Sequence, residues 1–439
     1  MGDPNQYREQ EFMGSKIAVI GTGYVGLTTG ACFSHLGHEV VCADIVPEKV
    51  EALSRGEIPI LEAGLEQIVR DGLASGRLRF VIGAATAAAD CEFAYLCVPT
   101  PQGADGSADM SYIEAAAREI APVLPADAIV VNKSTVPVGS TRLVERALGR
   151  SDVNVVSNPE FLREGSAVSD FLHPDRVVIG AEDQSAAIRV ASLYIGVPAP
   201  IMVTDPASAE TIKYASNAFL ATKLSFINAV SAVCEAVGAD VNDVVLGMGY
   251  DKRIGQGFLR PGPGWGGSCF PKDTRAMLRI AKDAGYDFDL LEGVLVVNDE
   301  QFERTAQKVV DLAGGSVEGK TVAAWGLTFK ANTDDLRESP ALEIIRRLLE
   351  RGATVKAYDP AVSRQLDGYE GLDVVDDPYA ACDGADVLAV LTEWDEFKWL
   401  DLDKVAELLN AKAVLDGRNL LDRSALQRRG FTFLGIGRS

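Results

Sequence analysis

Two series of short β-branched runs alternating with helix-patterned segments flank one long stretch free of Gly and Pro, and together predict an α/β protein. The expected architecture is two parallel-sheet domains joined by a long central helix. In the first series Lys16–Ile20, Glu39–Ala43, Phe93–Cys97, Ala128–Val131 and Asn154–Val156 read as strands, with Tyr24–Leu36 and Ser140–Leu148 among the helices between them. The second series starts at Lys320–Trp325, continues through Thr354–Tyr358 and Val387–Leu391, and ends near Ala413–Leu415. Between them Ser208–Val237 is rich in Ala, Lys, Leu and Glu, with no Gly before Gly238. That composition predicts a single helix of about 25–30 residues. Further helical pattern covers Tyr286–Ala313.

A chain of 439 residues exceeds one ordinary core. The expected parts are 1–14 as a disordered extension or cloning remnant, 15–203 as the first parallel-sheet domain, 204–315 as a central helical domain and 316–439 as the second sheet domain. A long, largely apolar helix between domains serves either as the seam of a symmetric homodimer, the expected use, or for packing within the chain.

Composition narrows the function. A hydrophobic content of 47% with 24% charged residues is that of a soluble globular protein. No uninterrupted apolar run reaches the roughly 18 residues of a membrane span, and the polar start MGDPNQYREQEF lacks a signal core. A net charge of −21 argues against a nucleic-acid surface. Seven scattered cysteines without a C-x-x-C predict a reducing cytoplasm rather than a disulfide framework, and with only three histidines no metal site is expected.

Gly21-Thr22-Gly23-Tyr24-Val25-Gly26 follows the first strand and opens a helix. In such a loop the first glycine makes the turn, the second admits a pyrophosphate and the third lets helix and strand pack closely. The helix N-terminus adds N–H groups and positive partial charge. Asp44 ends the next strand, 18 residues beyond Gly26. A carboxylate there accepts from a ribose 2′-OH and repels a 2′-phosphate, which favours NAD over NADP. Both sheet domains are therefore expected to be Rossmann-like. Lys49 either reaches the adenosine end or is a solvated helix lysine. The segments Val98-Pro99-Thr100-Pro101 and Lys133-Ser134-Thr135-Val136-Pro137 end strands of this domain, where ligands of open α/β sheets bind.

The loop Gly262–Thr274 places four glycines, Gly262, Gly264, Gly266 and Gly267, just before Ser268-Cys269-Phe270-Pro271-Lys272-Asp273. Pro271 suits a helix start. Cys269 would then sit at the positive end of a helix beside Lys272, and both favour the thiolate. Oxidation of an alcohol to a carbonyl needs no thiol. Oxidation onward to an acid uses one, because a thiohemiacetal can lose a second hydride to give a thioester that water opens.

On these residues the sequence resembles the UDP-glucose/GDP-mannose dehydrogenase family, from about Lys16 to Arg418. The motifs occur in the family's order: G-T-G-Y-V-G at Gly21–Gly26, K-S-T-V-P-V-G at Lys133–Gly139, S-N-P-E-F-L-R-E-G at Ser157–Gly165 and K-Y-A-S-N-A-F at Lys213–Phe219. G-G-S-C-F-P-K-D at Gly266–Asp273, F-K-A-N-T-D-D-L-R-E-S at Phe329–Ser339 and D-G-R at Asp416–Arg418 complete them. Pro99 departs from the glycine expected there in many members.

The resemblance implies Cys269 as nucleophile, Lys213 and Asn217 around a developing oxyanion, and Asp273 and Thr135 holding the catalytic water. It makes Glu160 the acid/base of thioester hydrolysis and places Glu164, one helical turn on, near the nicotinamide. Gly21, Gly23, Tyr24, Val25, Gly26, Asp44, Lys49, Pro99, Thr100, Ser134, Thr135, Glu164 and Arg337 are the expected NAD contacts. Glu160, Phe161, Leu162, Lys213, Asn217, Arg253, Phe258, Gly266, Cys269, Lys330 and Arg418 are expected to hold the sugar nucleotide. The first sheet domain would then bind NAD and the second the nucleotide sugar. The implied reaction is a four-electron oxidation, two NAD reduced per hexose. UDP-glucose is the expected substrate; dTDP-glucose, GDP-mannose and UDP-N-acetylhexosamines share the chemistry. A two-electron hydroxyacid dehydrogenase would leave the cysteine loop unexplained. A non-catalytic binding protein would be expected to have lost one of Lys213, Asn217, Cys269 or Asp273.

Overall fold

The computed structural model describes residues 14–101, 103 and 108–438. Except for Gly14, the expected N-terminal extension lies outside the described residues. The chain divides into two compact units, Met1–Tyr214 and Ala215–Ser439.

The first unit holds eight strands: β1 (Lys16–Ile20), β2 (Glu39–Asp44), β3 (Leu78–Ile82), β4 (Phe93–Leu96), β5 (Ile129–Asn132), β6 (Asn154–Ser157), β7 (Val177–Gly180) and β8 (Ile201–Thr204). Their order is β3-β2-β1-β4-β5-β6-β7-β8, and every pairing is parallel except β6 with β7. The central strands β4, β5 and β7 are buried throughout, as strands covered by helices on both faces must be. On one face Phe33 packs against Tyr95, Phe171 and Tyr194 at ring separations of 5.1, 5.1 and 5.4 Å. Strand order reverses between β1 and β4, which opens a crevice at their carboxyl ends.

The second unit repeats the plan with β9 (Thr321–Trp325), β10 (Thr354–Tyr358), β11 (Leu372–Val374), β12 (Val387–Val390), β13 (Ala413–Asp416) and β14 (Thr432–Gly435) in the all-parallel order β11-β10-β9-β12-β13-β14. The series thus runs one strand beyond the end expected near Ala413–Leu415. β14 is a four-residue strand pairing only with β13, too short to show a period in the sequence.

The central helix runs Pro206–Val237, 32 residues, from the first unit into the second. It begins two residues before the expected Ser208 because Asp205 accepts from the Ser208 N–H at 2.8 Å and Pro206 fits the first turn. Its buried side is anchored by polar groups. Ser225 donates to the Val294 carbonyl at 2.8 Å and accepts from the Trp265 indole at 2.9 Å, while Asn228 accepts from the Gly262 N–H at 2.9 Å. Its other side exposes Phe219 (64%), Phe226 (53%), Val233 (60%) and Val237 (71%), spaced along one helical stripe. By length and mean hydropathy (1.3 over 18 residues) this helix could cross a membrane, which the search for uninterrupted apolar runs did not anticipate. Buried Glu210, Lys213, Asn217 and Asn228 instead mark a helix packed into protein.

Candidate active site

In the first unit the glycine loop has the form its sequence requires. Gly21 adopts φ +98°, and a Cβ on Gly26 would stand 1.9 Å from the Gly21 carbonyl, so neither tolerates a side chain. Gly23 is different: its φ is −65° and a Cβ there would meet nothing within 4 Å. Its glycine leaves open space before a helix N-terminus with no side-chain cap, a fit for a pyrophosphate. Asp44 Oδ2 accepts from the Thr22 N–H at 3.1 Å, from the Thr22 hydroxyl and from Lys49 Nζ at 3.0 Å. Burial pushes its carboxyl up, but the bonds from Thr22 and Lys49 and the Lys49 charge bring it down to about 2. Lys49 pairs with Asp44, a contact that neither sequence reading named.

The loops after β4 and β5 are laced together. Thr100 Oγ1 donates to the Thr135 carbonyl at 2.9 Å, and Ser134 Oγ to the Val98 carbonyl at 2.7 Å. Pro99 is exposed on the first of them. After β6 the chain does not form the expected helix: Glu160 to Arg163 is loop, so Glu164 does not lie one helical turn beyond Glu160. The Glu160 carboxylate accepts from the Leu162 N–H at 2.7 Å, closing a local turn where a helix would have continued. Its other oxygen takes Lys213 Nζ at 2.9 Å in an ion pair with both side chains 4% exposed. The Phe161 ring lies under the Arg176 guanidinium at 3.6 Å and 5.5 Å from Lys213 Nζ.

In the second unit, Cys269 is the N-cap of the helix Phe270–Asp283, with Pro271 in its first turn. It is half-buried, whereas the other six cysteines are buried and no disulfide joins any of the seven. Burial pushes Cys32, Cys91, Cys97 and Cys382 up to about 12, leaving them as thiols. Lys272 makes its ion pair not with Cys269 but with Asp273 Oδ1, at 2.8 Å. Asp273 Oδ2 accepts from Asn217 Nδ2 at 2.6 Å. Asp273 is fully buried and one turn along the helix from its N-cap, so its charge takes the nearest ammonium first.

The glycines before Cys269 admit neighbouring backbone. A Cβ on Gly266 would lie 1.8 Å from the Glu338 carbonyl, and Gly267, at φ +87°, donates its N–H to the Arg337 carbonyl at 3.1 Å. Arg418 Nε donates to the Leu391 carbonyl at 2.8 Å and pairs with Glu393 at 3.1 Å. Arg337 pairs with Asp335 and exposed Arg253 with Asp251, at 2.7 and 2.6 Å. Lys330 Nζ sits 5.2 Å over the Phe329 ring, and Phe258 holds a positive φ of 60° with its ring 6.1 Å from Phe270.

Three buried groups escaped the sequence reading. Glu210 accepts from the Gly139 N–H (2.6 Å), the Thr141 N–H (2.9 Å) and the Thr141 hydroxyl (2.8 Å), capping the helix Ser140–Leu148 that has no cap of its own. Glu62 accepts from the Tyr24 hydroxyl and, at 2.7 Å, from the Gly165 N–H. Lys133 is buried beside Asn158. Glu210 lay in the segment read as the central helix and Lys133 in a strand-end segment, whereas Glu62 lay in neither.

Comparison with known proteins places this geometry. Three models of the UDP-glucose/GDP-mannose dehydrogenase family match in order: the NAD binding domain over residues 15–197, the central domain over 207–300 and the UDP binding domain over 323–423. The chain is similar to the UDP-glucose 6-dehydrogenase of Rhizobium meliloti (strain 1021), 46% identical over 96% of this chain and 99% of that protein. It is as similar to UDP-glucose 6-dehydrogenase TuaD of Bacillus subtilis (strain 168), at 46% over 96% and 93%. A solved UDP-glucose dehydrogenase from the hyperthermophilic archaeon Pyrobaculum islandicum superposes with a TM-score of 0.91 at 41% identity, covering 98% of this chain and 99% of that one.

The contrast among the cysteines has a direct chemical readout. Iodoacetamide at neutral pH is expected to alkylate Cys269 at least about tenfold faster than any of the six buried thiols, as read by peptide mass mapping. Prior labelling of a buried cysteine would contradict the exposure described.

Proposed function

The chain belongs to the UDP-glucose/GDP-mannose dehydrogenase family, and on that footing we propose that it oxidises UDP-glucose to UDP-glucuronate with two NAD per hexose. The observation that carries this reading is Cys269, half-buried at the N-cap of a helix while the other cysteines are sealed. Bound NAD supplies the hydride acceptor for each oxidation. Gly23, Asp44 and the loops carrying Pro99, Thr100, Ser134 and Thr135 would hold it, with Tyr24, Val25, Lys49, Glu164 and Arg337 as further contacts.

In the first oxidation the C6 carbon loses a hydride and its hydroxyl a proton, giving an aldehyde. Lys213 and Asn217, one turn apart on the central helix, face the oxygen that gains charge. Cys269 Sγ then adds to the aldehyde carbon; the C–S bond forms as the C=O π bond opens, and the oxygen takes the thiol proton to give a thiohemiacetal. Loss of the second hydride leaves a thioester on Cys269. Water held by Asp273 and Thr135 attacks it, its proton passes to the Glu160 carboxylate, and the C–S bond breaks to release the acid. Arg253, Lys330 and Arg418 supply the positive charge that a diphosphate needs, and Phe161, Leu162, Phe258 and Gly266 shape the sugar site.

The expected assembly is a homodimer. The stripe Phe219, Phe226, Val233 and Val237 is apolar, solvent-facing in the single chain and long enough to serve as a symmetric seam. Light scattering should read a dimer that Phe226→Glu converts to monomer; a parent protein that is monomeric at micromolar concentration would remove this part of the reading. Seven cysteines without a disulfide favour a reducing, cytoplasmic setting.

Cofactor choice rests on Asp44. NAD is expected to exceed NADP by at least about tenfold in kcat/KM, about 1.4 kcal/mol, and Asp44→Ala to narrow that gap. Equal use by the parent would place Asp44 away from the ribose. Cys269→Ala is expected to abolish acid formation. Glu160→Gln should give a rapid NADH burst, slow turnover and a uronyl adduct on the Cys269 peptide in quenched mass spectra. Full activity in Cys269→Ala would defeat the mechanism, and unchanged turnover without adduct in Glu160→Gln the role of Glu160 alone.

A further inference from the structure

Glu160 has a second cation near it besides Lys213. Lys133 directly follows β5 and is 5% exposed. Its Nζ donates to Asn158 Oδ1 at 3.2 Å and to the Tyr194 hydroxyl at 3.4 Å. Tyr194 donates to the same Asn158 oxygen at 2.5 Å, and Asn158 Nδ2 is held by the Val178 carbonyl at 2.8 Å. These hydrogen-bond partners are all neutral. An ammonium taken from water into such company is costly unless an anion stands nearby.

The anion is Glu160. The register of β5 on β6 pairs Asn132 with Ser157, which sets Lys133 beside Asn158. Pro159 fixes φ in the single step from Asn158 to Glu160. The carboxylate therefore has Lys213 of the central helix in direct contact and feels the charge of Lys133 from the sheet. The Cys97 thiol at the end of β4 also feels its charge, and the Leu162 amide closes the set.

We propose that Lys133 is a positioning residue for the hydrolytic half of the reaction: acting through Asn158, it holds Glu160 in place and completes the pair of cations that keeps it a carboxylate, ready to take a proton from the attacking water. The proposal rests on the role given to Glu160 above. Burial pushes the Glu160 carboxyl up, but the charge and hydrogen bond of Lys213, the Leu162 amide and the charge of Lys133 outweigh it and leave the group below the usual carboxylate range. Protonating Glu160 would strand two buried cations. Without Lys133 one lowering influence is gone, Glu160 titrates at higher pH, and the base form is lost sooner on acidification.

The test is the pH profile of steady-state turnover from about pH 3 to 9, with the NADH burst recorded alongside. For Lys133→Met the acid limb is expected to move to higher pH, with the burst amplitude retained and turnover recovering toward pH 9. Lys133→Arg should keep the parent limb. Asn158→Asp, nearly isosteric, gives Lys133 a carboxylate of its own beside Glu160 and should displace the limb in the same direction, which keeps the proposal testable if Lys133→Met does not fold. A uniform loss at every pH, or an unmoved limb in both variants while Glu160→Gln still stalls as the acyl enzyme, overturns the role of Lys133 and leaves that of Glu160 standing. An acid limb that persists unchanged in Glu160→Gln shows that it belongs to another group and defeats both.

Discussion

The ion pair between Glu160 and Lys213 ties the loop after β6 to the central helix, with 2.9 Å between the charged atoms and both side chains 4% exposed. Such a pair is poor value for stability, because the desolvation of two ions roughly cancels their attraction. Removing either partner is another matter, since the survivor would remain charged and buried. The loop, the helix and the orientation of both side chains are therefore coupled to one contact. Asn217, one turn further along the helix, makes a matching bond to buried Asp273 in the second unit. The same helix thus presents two polar groups whose partners are carboxylates, one from the end of a strand and one from the helix that Cys269 caps. At the strand end, where burial pushes the Glu160 carboxyl up, the buried charge of Lys213 holds it below its usual range, the setting in which perturbed proton affinity and chemistry coincide.

The two units share a strand order, and in each an aspartate at the end of the second strand clamps the loop after the first. In β3-β2-β1-β4-β5-β6 and β11-β10-β9-β12-β13-β14 the second strand in chain order ends at Asp44 in one unit and is followed directly by Asp359 in the other. Asp44 accepts from Thr22 in the loop after β1; Asp359 accepts from Thr328 in the loop after β9. The difference lies in what else each meets. Asp359 also takes the Leu327 and Thr328 N–H groups and the Trp394 indole, and is 2% exposed. Its acceptor capacity is spent on its own loop. Asp44 instead takes Lys49 and the Ile45 and Val46 N–H groups, with its side chain 11% exposed. Both aspartates clamp their loops, Asp44 with a lysine ammonium beside it and Asp359 with an indole N–H.

Much of this was legible in the sequence because it is local. The nine strands named from the sequence fell within a residue or so of their expected bounds, while β3, β7, β8, β11 and β14 were not named. The glycine loop and the cysteine at a helix start need only neighbouring residues to be recognised. The central helix starts two residues before the expected Ser208, on a cap from Asp205. What escaped depends on partners distant in sequence. Nothing near Glu210 announces that it caps a helix some 70 residues upstream. Lys272 beside Cys269 in sequence suggested a thiolate partner, but Asp273 was nearer in space and fully buried. Glu160–Glu164 read as a helical turn, whereas the Glu160 carboxylate bonds its own loop. The strand order that relates the two units was likewise invisible, since it is carried by geometry and not by recurring residues.

Two oxidations on one enzyme, linked by a thiol adduct, are the centre of the account. The most direct test is the ratio of NADH formed to UDP-glucose consumed by the unmutated protein, measured at completion with the product identified by mass. The account predicts two NADH per hexose and a uronate, with no aldehyde released along the way. One NADH per hexose with free aldehyde in solution would contradict it, because the thiol at the helix start would then have no step to perform.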